Sequence, residues 1–582
     1  MDLSRFLLFL LSVPFVLATP LEPTNYPRAL KWSSTTYGPD GPWYAITVLI
    51  GTPPQSVDLF PGGVAFSNIL STSLCTNESQ KCYASTAGLY NASQSSTSIH
   101  DPNGAIVDSS FADHGFATLQ GSADYVADAM FVTTEDPPSA LLQYGNFAMR
   151  VISDGQWILP DGRDYTIEVG NLALGAPYIN QSMTKGNGTE FNGTLLSSLP
   201  ELQGLTPSNS FGMHIGSVAV SIDPSIYLGG YDQSRILGNV TVQPIDMDSF
   251  PIDLLDIGIG VAVGGSPFSF KSKSGLLAQG NSSIGRSMKV NVDPTSPFLY
   301  LPKSTCDAIT QYLPVHYNSG LGLYLWDAAG SPYEDVIYSA AYLSFTFRLN
   351  TTLTENVTIN VPFYLLNLTL TSPLVDTPAA YFPCTPYDYG KSQDMPTLGR
   401  AFLQAAFFGA NWGLGGAGSG SWFLAQAPGP NTTSEPVVMS ISLNDTYITP
   451  STINWVDTWE EVWNVTPDLP TGINTGGAVG LIVGGVVAVL SVIVLVVLCA
   501  PAACWCGFRK RRAARKVAGK DQAPWQRVEM DAKEQEPESS RESQKFEAGS
   551  EPKSMFSELL PEPKCLGLEL DMRQRPRELS NG

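Results

Sequence analysis

Trp43-Tyr44-Ala45-Ile46-Thr47-Val48-Leu49-Ile50-Gly51-Thr52-Pro53-Pro54-Gln55 is the stretch that decides the fold. Residues 44–50 form a short run of apolar and β-branched side chains, as a half-buried strand requires, and Gly51 to Pro54 then turn the chain. The same grammar recurs at residues 217–228 and 341–349, with Gly, Pro, Asn and Asp clusters between such runs from about residue 42 to 430. This is an all-β pattern. No long helical periodicity interrupts it, and short helices are expected only near residues 305–312 and 399–405.

The flanking segments have other compositions. Arg5 precedes an apolar run at residues 6–17 that ends in Val16-Leu17-Ala18, the form of a secretory signal over residues 1–18. A second apolar run, residues 478–500, carries no charged residue. It meets the roughly 20 residues that a membrane-crossing helix needs. Arg509-Lys510-Arg511-Arg512 follows, so the basic-side rule places the N-terminal portion outside. The polar segment after this run excludes a cleaved lipid-anchor signal. Residues 501–582 are charged and poor in aromatics, and are expected to be a disordered cytoplasmic tail. Residues 431–477, with Trp455, Trp459 and Trp463 in a polar setting, read as an extracellular stalk whose tryptophans mark one short helix face.

Glycosylation sequons begin at Asn77, Asn91, Asn180, Asn187, Asn192, Asn239, Asn281, Asn350, Asn356, Asn367, Asn431, Asn444 and Asn464. All lie between the two apolar runs, which agrees with the topology. Cysteines divide likewise. Cys75, Cys82, Cys306 and Cys384 fall outside, where disulfides form and where three pairings are open. Cys499, Cys504 and Cys506 at the inner boundary read either as palmitoylation sites or as small apolar residues. The net charge of −21 disfavours nucleic acid as a partner. Membrane lipid is the expected partner, with an extracellular peptide or cell-wall ligand and cytoplasmic contacts of the tail as further candidates; the basic cluster also suits anionic lipid.

Four motifs, in order, resemble those of the pepsin-like aspartic peptidases, in the form found in fungal members. They are residues 43–55; Tyr227-Leu228-Gly229-Gly230-Tyr231-Asp232; Thr397-Leu398-Gly399-Arg400-Ala401-Phe402-Leu403; and Trp422-Phe423-Leu424-Ala425-Gln426-Ala427. The resemblance covers residues 40–430. It implies two β-lobes, about 40–235 and 236–430, with a cleft between them, and a short disulfide loop in the first lobe and a longer one in the second, hence Cys75–Cys82 and Cys306–Cys384.

Peptidases of that family place two aspartates around one water, one from each lobe. Two close carboxyl groups share a proton, so one acts as base while the other acts as acid. Val292-Asp293-Pro294-Thr295-Ser296 matches the second-lobe motif, which makes Asp293 the retained catalytic position. Thr295 stands where the family has glycine, and its Cβ is expected to crowd the loop. The first-lobe motif should fall within Leu59-Phe60-Pro61-Gly62-Gly63-Val64-Ala65, where no aspartate stands near Pro61 and Gly62. Asp58 is expected to alternate outward to solvent. Phe111-Ala112-Asp113-His114-Gly115, with Gly121 and Asp128, resembles the flap hairpin, with Asp113 as a turn residue.

His100, His114, His214 and His316 lack metal-ligand spacing, and no G-x-S-x-G elbow occurs, so no metal, cofactor or serine nucleophile is expected. The glycine-rich residues 413–420 read as a surface loop rather than a phosphate cradle. The expectation is a catalytically deficient, membrane-anchored surface or receptor-like protein. The rivals are an active acid endopeptidase using Asp293 with another partner, and a structural cell-wall protein held by its glycans.

Overall fold

The computed structural model describes residues 25–465 and 467, except 76–81, 104, 108–117, 136–140, 179, 247–248, 351–354, 388–395, 414–419 and 433–434. The signal segment, Asn77, the flap segment with Asp113, the apolar run 478–500, the inner cysteines and the tail therefore lie outside the described residues. Contacts divide the chain into two units, Met1–Val479 and Gly480–Gly582, and every described residue belongs to the first. Among the described residues, no helix is long and apolar enough to cross a membrane.

The first unit is mainly β. Trp43–Ile50 buries alternate positions and pairs antiparallel with Gln55–Pro61, Val48 opposite Val57. Gly51 makes the turn between them at a φ of 87°, a left-handed conformation that costs a side-chain-bearing residue energy. Around this hairpin the described residues assemble a twelve-stranded sheet, dominated by the long hairpin of Thr118–Thr133 and Leu141–Ile158.

An eight-stranded sheet is built around Pro251–Val261, Ala341–Arg348 and Met288–Val292. A six-stranded sheet draws on both halves of the chain, in the order Arg28–Ala29, Ser225–Leu228, Ser210–His214, Ala406–Asn411, Ser421–Gln426, Leu237–Pro244. Phe250 packs edge-on or tilted against Phe408, Trp412 and Trp422, with the Phe250 and Phe408 centroids 4.9 Å apart. Such pairs add to the burial energy of the rings themselves.

The two expected helices are Lys303–Thr310 and Arg400–Leu403. The run at 217–228 is a strand only over Ser225–Leu228. Its first part folds back on itself, Ser217 and Ile222 exchanging backbone hydrogen bonds of 3.0 and 2.9 Å, before Asp223-Pro224.

The expected stalk is corrected over its described part. Val438–Ser440 pairs antiparallel with Gly230–Asp232. Ile441 and Ile448 are buried with Tyr231, Phe407 and Phe423. Further on, Trp459 and Trp463 are buried and stacked at 5.8 Å, Trp455 meets Tyr342 at 5.6 Å, and Asn464 N–H donates to the Tyr338 carbonyl at 2.7 Å. A one-turn 3-10 helix, Val456–Trp459, replaces the expected helix face. The polar composition concealed a strap, because a few large aromatic anchors suffice to dock a segment.

Candidate active site

Asp293 follows the strand Met288–Val292, and its N–H donates to the Leu398 carbonyl at 3.1 Å. Its Oδ1 accepts from Thr295 N–H at 2.8 Å and from Thr295 Oγ1–H at 2.7 Å. This is a local aspartate turn of the kind Asp favours. Thr295 is not among the residues with positive φ, so its side chain carries no left-handed backbone strain. Its hydroxyl instead ties the carboxylate to its own loop.

The facing loop is Pro61-Gly62-Gly63. A Cβ on Gly62 would lie 2.9 Å from Pro294 Cγ and 3.1 Å from the Thr295 nitrogen, so the two loops abut backbone to backbone. The parallel pairing of Gly170–Leu172 with the end of Gln55–Pro61 holds the first loop in place, and Gly62 N–H donates to the Leu172 carbonyl at 2.9 Å. The side chains joined to this loop are amides: Asn171 Nδ2 donates to the Gly62 carbonyl at 2.7 Å, and Asn68 Nδ2 donates to Asn171 Oδ1 at 2.5 Å.

Asp58 is engaged by three hydroxyl groups. Its oxygens accept from Ser33 Oγ at 2.6 Å, Tyr37 O–H at 2.5 Å and Thr47 Oγ1 at 2.5 Å, which makes it a half-buried tie between strands rather than a solvent-facing group. Burial and Asp58 together push the Tyr37 hydroxyl up to about 12. Asp128 is buried too, accepting from Tyr90 O–H at 2.5 Å and Thr97 Oγ1 at 2.6 Å.

The charge beside Asp293 comes from a residue that sequence reasoning did not single out. Arg400 is only 7% exposed. Its Nη1 donates to the carbonyls of Pro294 at 3.2 Å and Thr295 at 2.9 Å, and its Nη2 lies 3.5 Å from Asp40 Oδ2. The guanidinium stacks against Phe60, 4.5 Å from the ring centroid, and Trp43, 5.1 Å away. Burial lowers its pKa, and Asp40, Tyr300, Tyr381 and Asp293 oppose that shift in this order. Asp40 is fixed in turn by Trp43 Nε1–H at 3.1 Å and by Tyr381 O–H, which donates to the Asp40 carbonyl at 2.6 Å. One signal was present in the sequence: a cation opening a helix is against the usual preference, so Arg400 needed another partner. Asp40 hid inside Gly38-Pro39-Asp40-Gly41-Pro42, which reads as a turn.

The remaining candidates are dispersed. His214 is buried with Nε2–H donating to the Gln404 carbonyl at 2.9 Å, and His316 pairs with Asp327 at 2.7 Å on the surface. Among the described residues, no group of His, Cys, Asp and Glu could hold a metal ion. The pairs Cys75–Cys82 and Cys306–Cys384 are both disulfides. Of the described sequons, Asn187, Asn192, Asn239, Asn356, Asn431, Asn444 and Asn464 are exposed, and Asn91, Asn180, Asn281, Asn350 and Asn367 half-buried.

The chain is similar to an aspartic proteinase from Irpex lacteus. That solved structure is 14% identical, with 69% of this chain and 97% of that chain covered at a TM-score of 0.41. No family model and no curated protein matches.

Proposed function

We propose that this chain is a non-catalytic, membrane-anchored glycoprotein that keeps a pepsin-like arrangement as a binding scaffold. One observation carries the reading: the loop abutting Asp293 is Pro61-Gly62-Gly63, with amides joined to it instead of a carboxylate. Hydrolysis of the aspartic-peptidase kind needs a charged and a protonated carboxyl that share one proton around the attacking water. Here Asp293 is bound by its own Thr295, and the neighbouring charge is a guanidinium. The apolar run at 478–500, the confinement of the sequons and the disulfides support a position outside the cell, tethered to a membrane.

A hydroxyl-bearing transition-state analogue of peptide hydrolysis tests the catalytic half of this reading. Such analogues bind 10²–10⁸-fold tighter than substrates where a site is complementary to the transition state. The full-length chain in mild detergent is expected to show no shift in melting temperature with saturating analogue. A shift lost in Asp293→Asn would overturn the reading. For the anchor, alkaline extraction should leave the chain in the membrane pellet, and release into the supernatant would contradict it.

A further inference from the structure

The strand Asn180–Thr184 ends the twelve-stranded sheet. It pairs antiparallel with Glu190–Thr194, and among the described residues no strand pairs with its other side. The register runs unbroken from Asn180 opposite Thr194 to Thr184 opposite Glu190, and just beyond it Lys185 N–H donates to the Thr189 carbonyl at 2.9 Å. Hydrogen-bonded and non-hydrogen-bonded pairs alternate along an antiparallel ladder. Met183 and Gln181 therefore turn their N–H and C=O groups towards the partner strand, and Thr184, Ser182 and Asn180 turn theirs to the open side. Thr184 bears this out, since its N–H donates outward to Asp101 Oδ2 at 2.8 Å. That carboxylate covers one end of the edge.

A row of outward backbone donors and acceptors is a template for another strand, and natural edges are blunted by charge, proline, a bulge or brevity. Asn180-Gln181-Ser182-Met183-Thr184 has no charged residue, no proline and no bulge, and its five residues are an ordinary strand length. It has sequons instead: Asn180, Asn187 and Asn192 begin three of them within residues 180–194.

The register gathers these asparagines. Asn180 stands opposite Thr194 and Ser182 opposite Asn192, so all four side chains share one face of the hairpin. Asn180 and Asn192 are diagonal neighbours there, about 7–8 Å apart. The other face is packed inward: Met183 is buried with Ala127 and Ala148, and a Cβ on Gly193 would lie 2.7 Å from Ala148 Cβ. Asn187 is exposed in the turn between the strands, where its Oδ1, not the nitrogen that carries a sugar, accepts from Thr189 N–H at 3.0 Å. Asn367 is the contrasting sequon. Its Nδ2 donates to the Tyr333 hydroxyl at 2.8 Å and its Oδ1 is buried.

We infer that Asn180, Asn187 and Asn192 carry N-linked oligosaccharides that together cover this open edge and keep two copies of the chain from pairing along it, a proposal that rests on the reading of the chain as a glycoprotein. N-linked oligosaccharides are bulky and solubilising, and three at one rim occupy the space that a second strand would need. Its test starts from the full-length chain made in a eukaryotic secretory host and held in mild detergent. Glycopeptide mass spectrometry is expected to find Asn180, Asn187 and Asn192 occupied and Asn367 bare. Light scattering then gives the protein mass of the particle. Asn180→Gln with Asn187→Gln and Asn192→Gln should at least double that mass relative to the wild type, with the melting transition retained. Should this variant not fold, Ser182→Ala with Thr189→Ala and Thr194→Ala removes the same sequons through their hydroxyls and should behave alike. Ser182→Lys, added to the first variant or replacing Ser182→Ala in the second, puts a charge on the edge and should restore the wild-type mass. Vacancy at any of the three asparagines, an unchanged mass without the sequons, or association that the lysine does not relieve would overturn the proposal. Glycans elsewhere with these three sites bare would sink this inference alone. Occupied sites with the expected change in mass, on a chain that cleaves protein or leaves the membrane pellet, would sink the functional reading alone.

Discussion

Asp40 and Arg400, 360 positions apart in the chain, meet in the interior, and Arg400 extends that meeting to the backbone of the Asp293 loop through the Pro294 and Thr295 carbonyls. The pair fixes the loop by its position in the fold rather than by any neighbour in sequence. A buried ion pair adds modest net stability, but removal of one partner leaves the other charged, desolvated and alone. Arg400→Met is therefore expected to lose about 3–5 kcal/mol. Asp40→Asn together with Arg400→Met should lose clearly less than the sum of the two single changes. Denaturant unfolding of the three variants measures both quantities, and simple additivity would show that the two side chains act independently.

The strap gives a second prediction. Trp459 is 1% exposed and stacks on Trp463. Trp459→Ala should cost about 3–5 kcal/mol, the range for truncating a buried large aromatic. A true stalk would tolerate the change within about 0.5 kcal/mol. Thermal unfolding of the variant distinguishes the two.

That strap also shows where sequence reading stops. The alternation at residues 43–55 and 341–349 made the strands legible, because burial of one face imposes period two on the residues themselves. The loops at Asp293 and at Pro61-Gly62-Gly63 could be read for the same local reason, since a loop motif is contiguous. Asp40, Asn68 and Asn171 were not. Each is an ordinary polar residue whose role comes only from a partner far away in the chain, Arg400 for Asp40 and Asn171 for Asn68. Trp455, Trp459 and Trp463 were seen but misplaced, because a helical spacing says nothing of what the rings will pack against.

Acid should destabilise the protein through His214. Burial, then Arg235, holds its pKa down to about 3 from 6.5. Between these values the unfolded chain binds a proton that the folded chain refuses, so stability falls as pH falls from about 6.5 towards about 3. The limiting slope for one such group is about 1.4 kcal/mol per pH unit. His214→Gln should flatten the pH dependence of the unfolding midpoint over that window. An unchanged slope would show that His214 is protonated in the folded state.

The two disulfides should differ in weight. Cys306–Cys384 closes a separation of 78 residues and Cys75–Cys82 one of 7. In the chain-entropy account, the ratio of these lengths makes the longer loop worth about 2 kcal/mol more. Paired cysteine-to-alanine variants at each site, compared by denaturant midpoint, check the ordering.

Hydrolysis is the most direct measurement. Full-length chain and its Asp293→Asn variant are incubated with acid-denatured casein from pH 2 to pH 6, and new amino termini are counted. The account predicts no turnover above buffer for either protein at any pH, because Asp293 has Thr295 and a neighbouring guanidinium where a second carboxyl is needed. Cleavage by the wild type that disappears in the variant would contradict it.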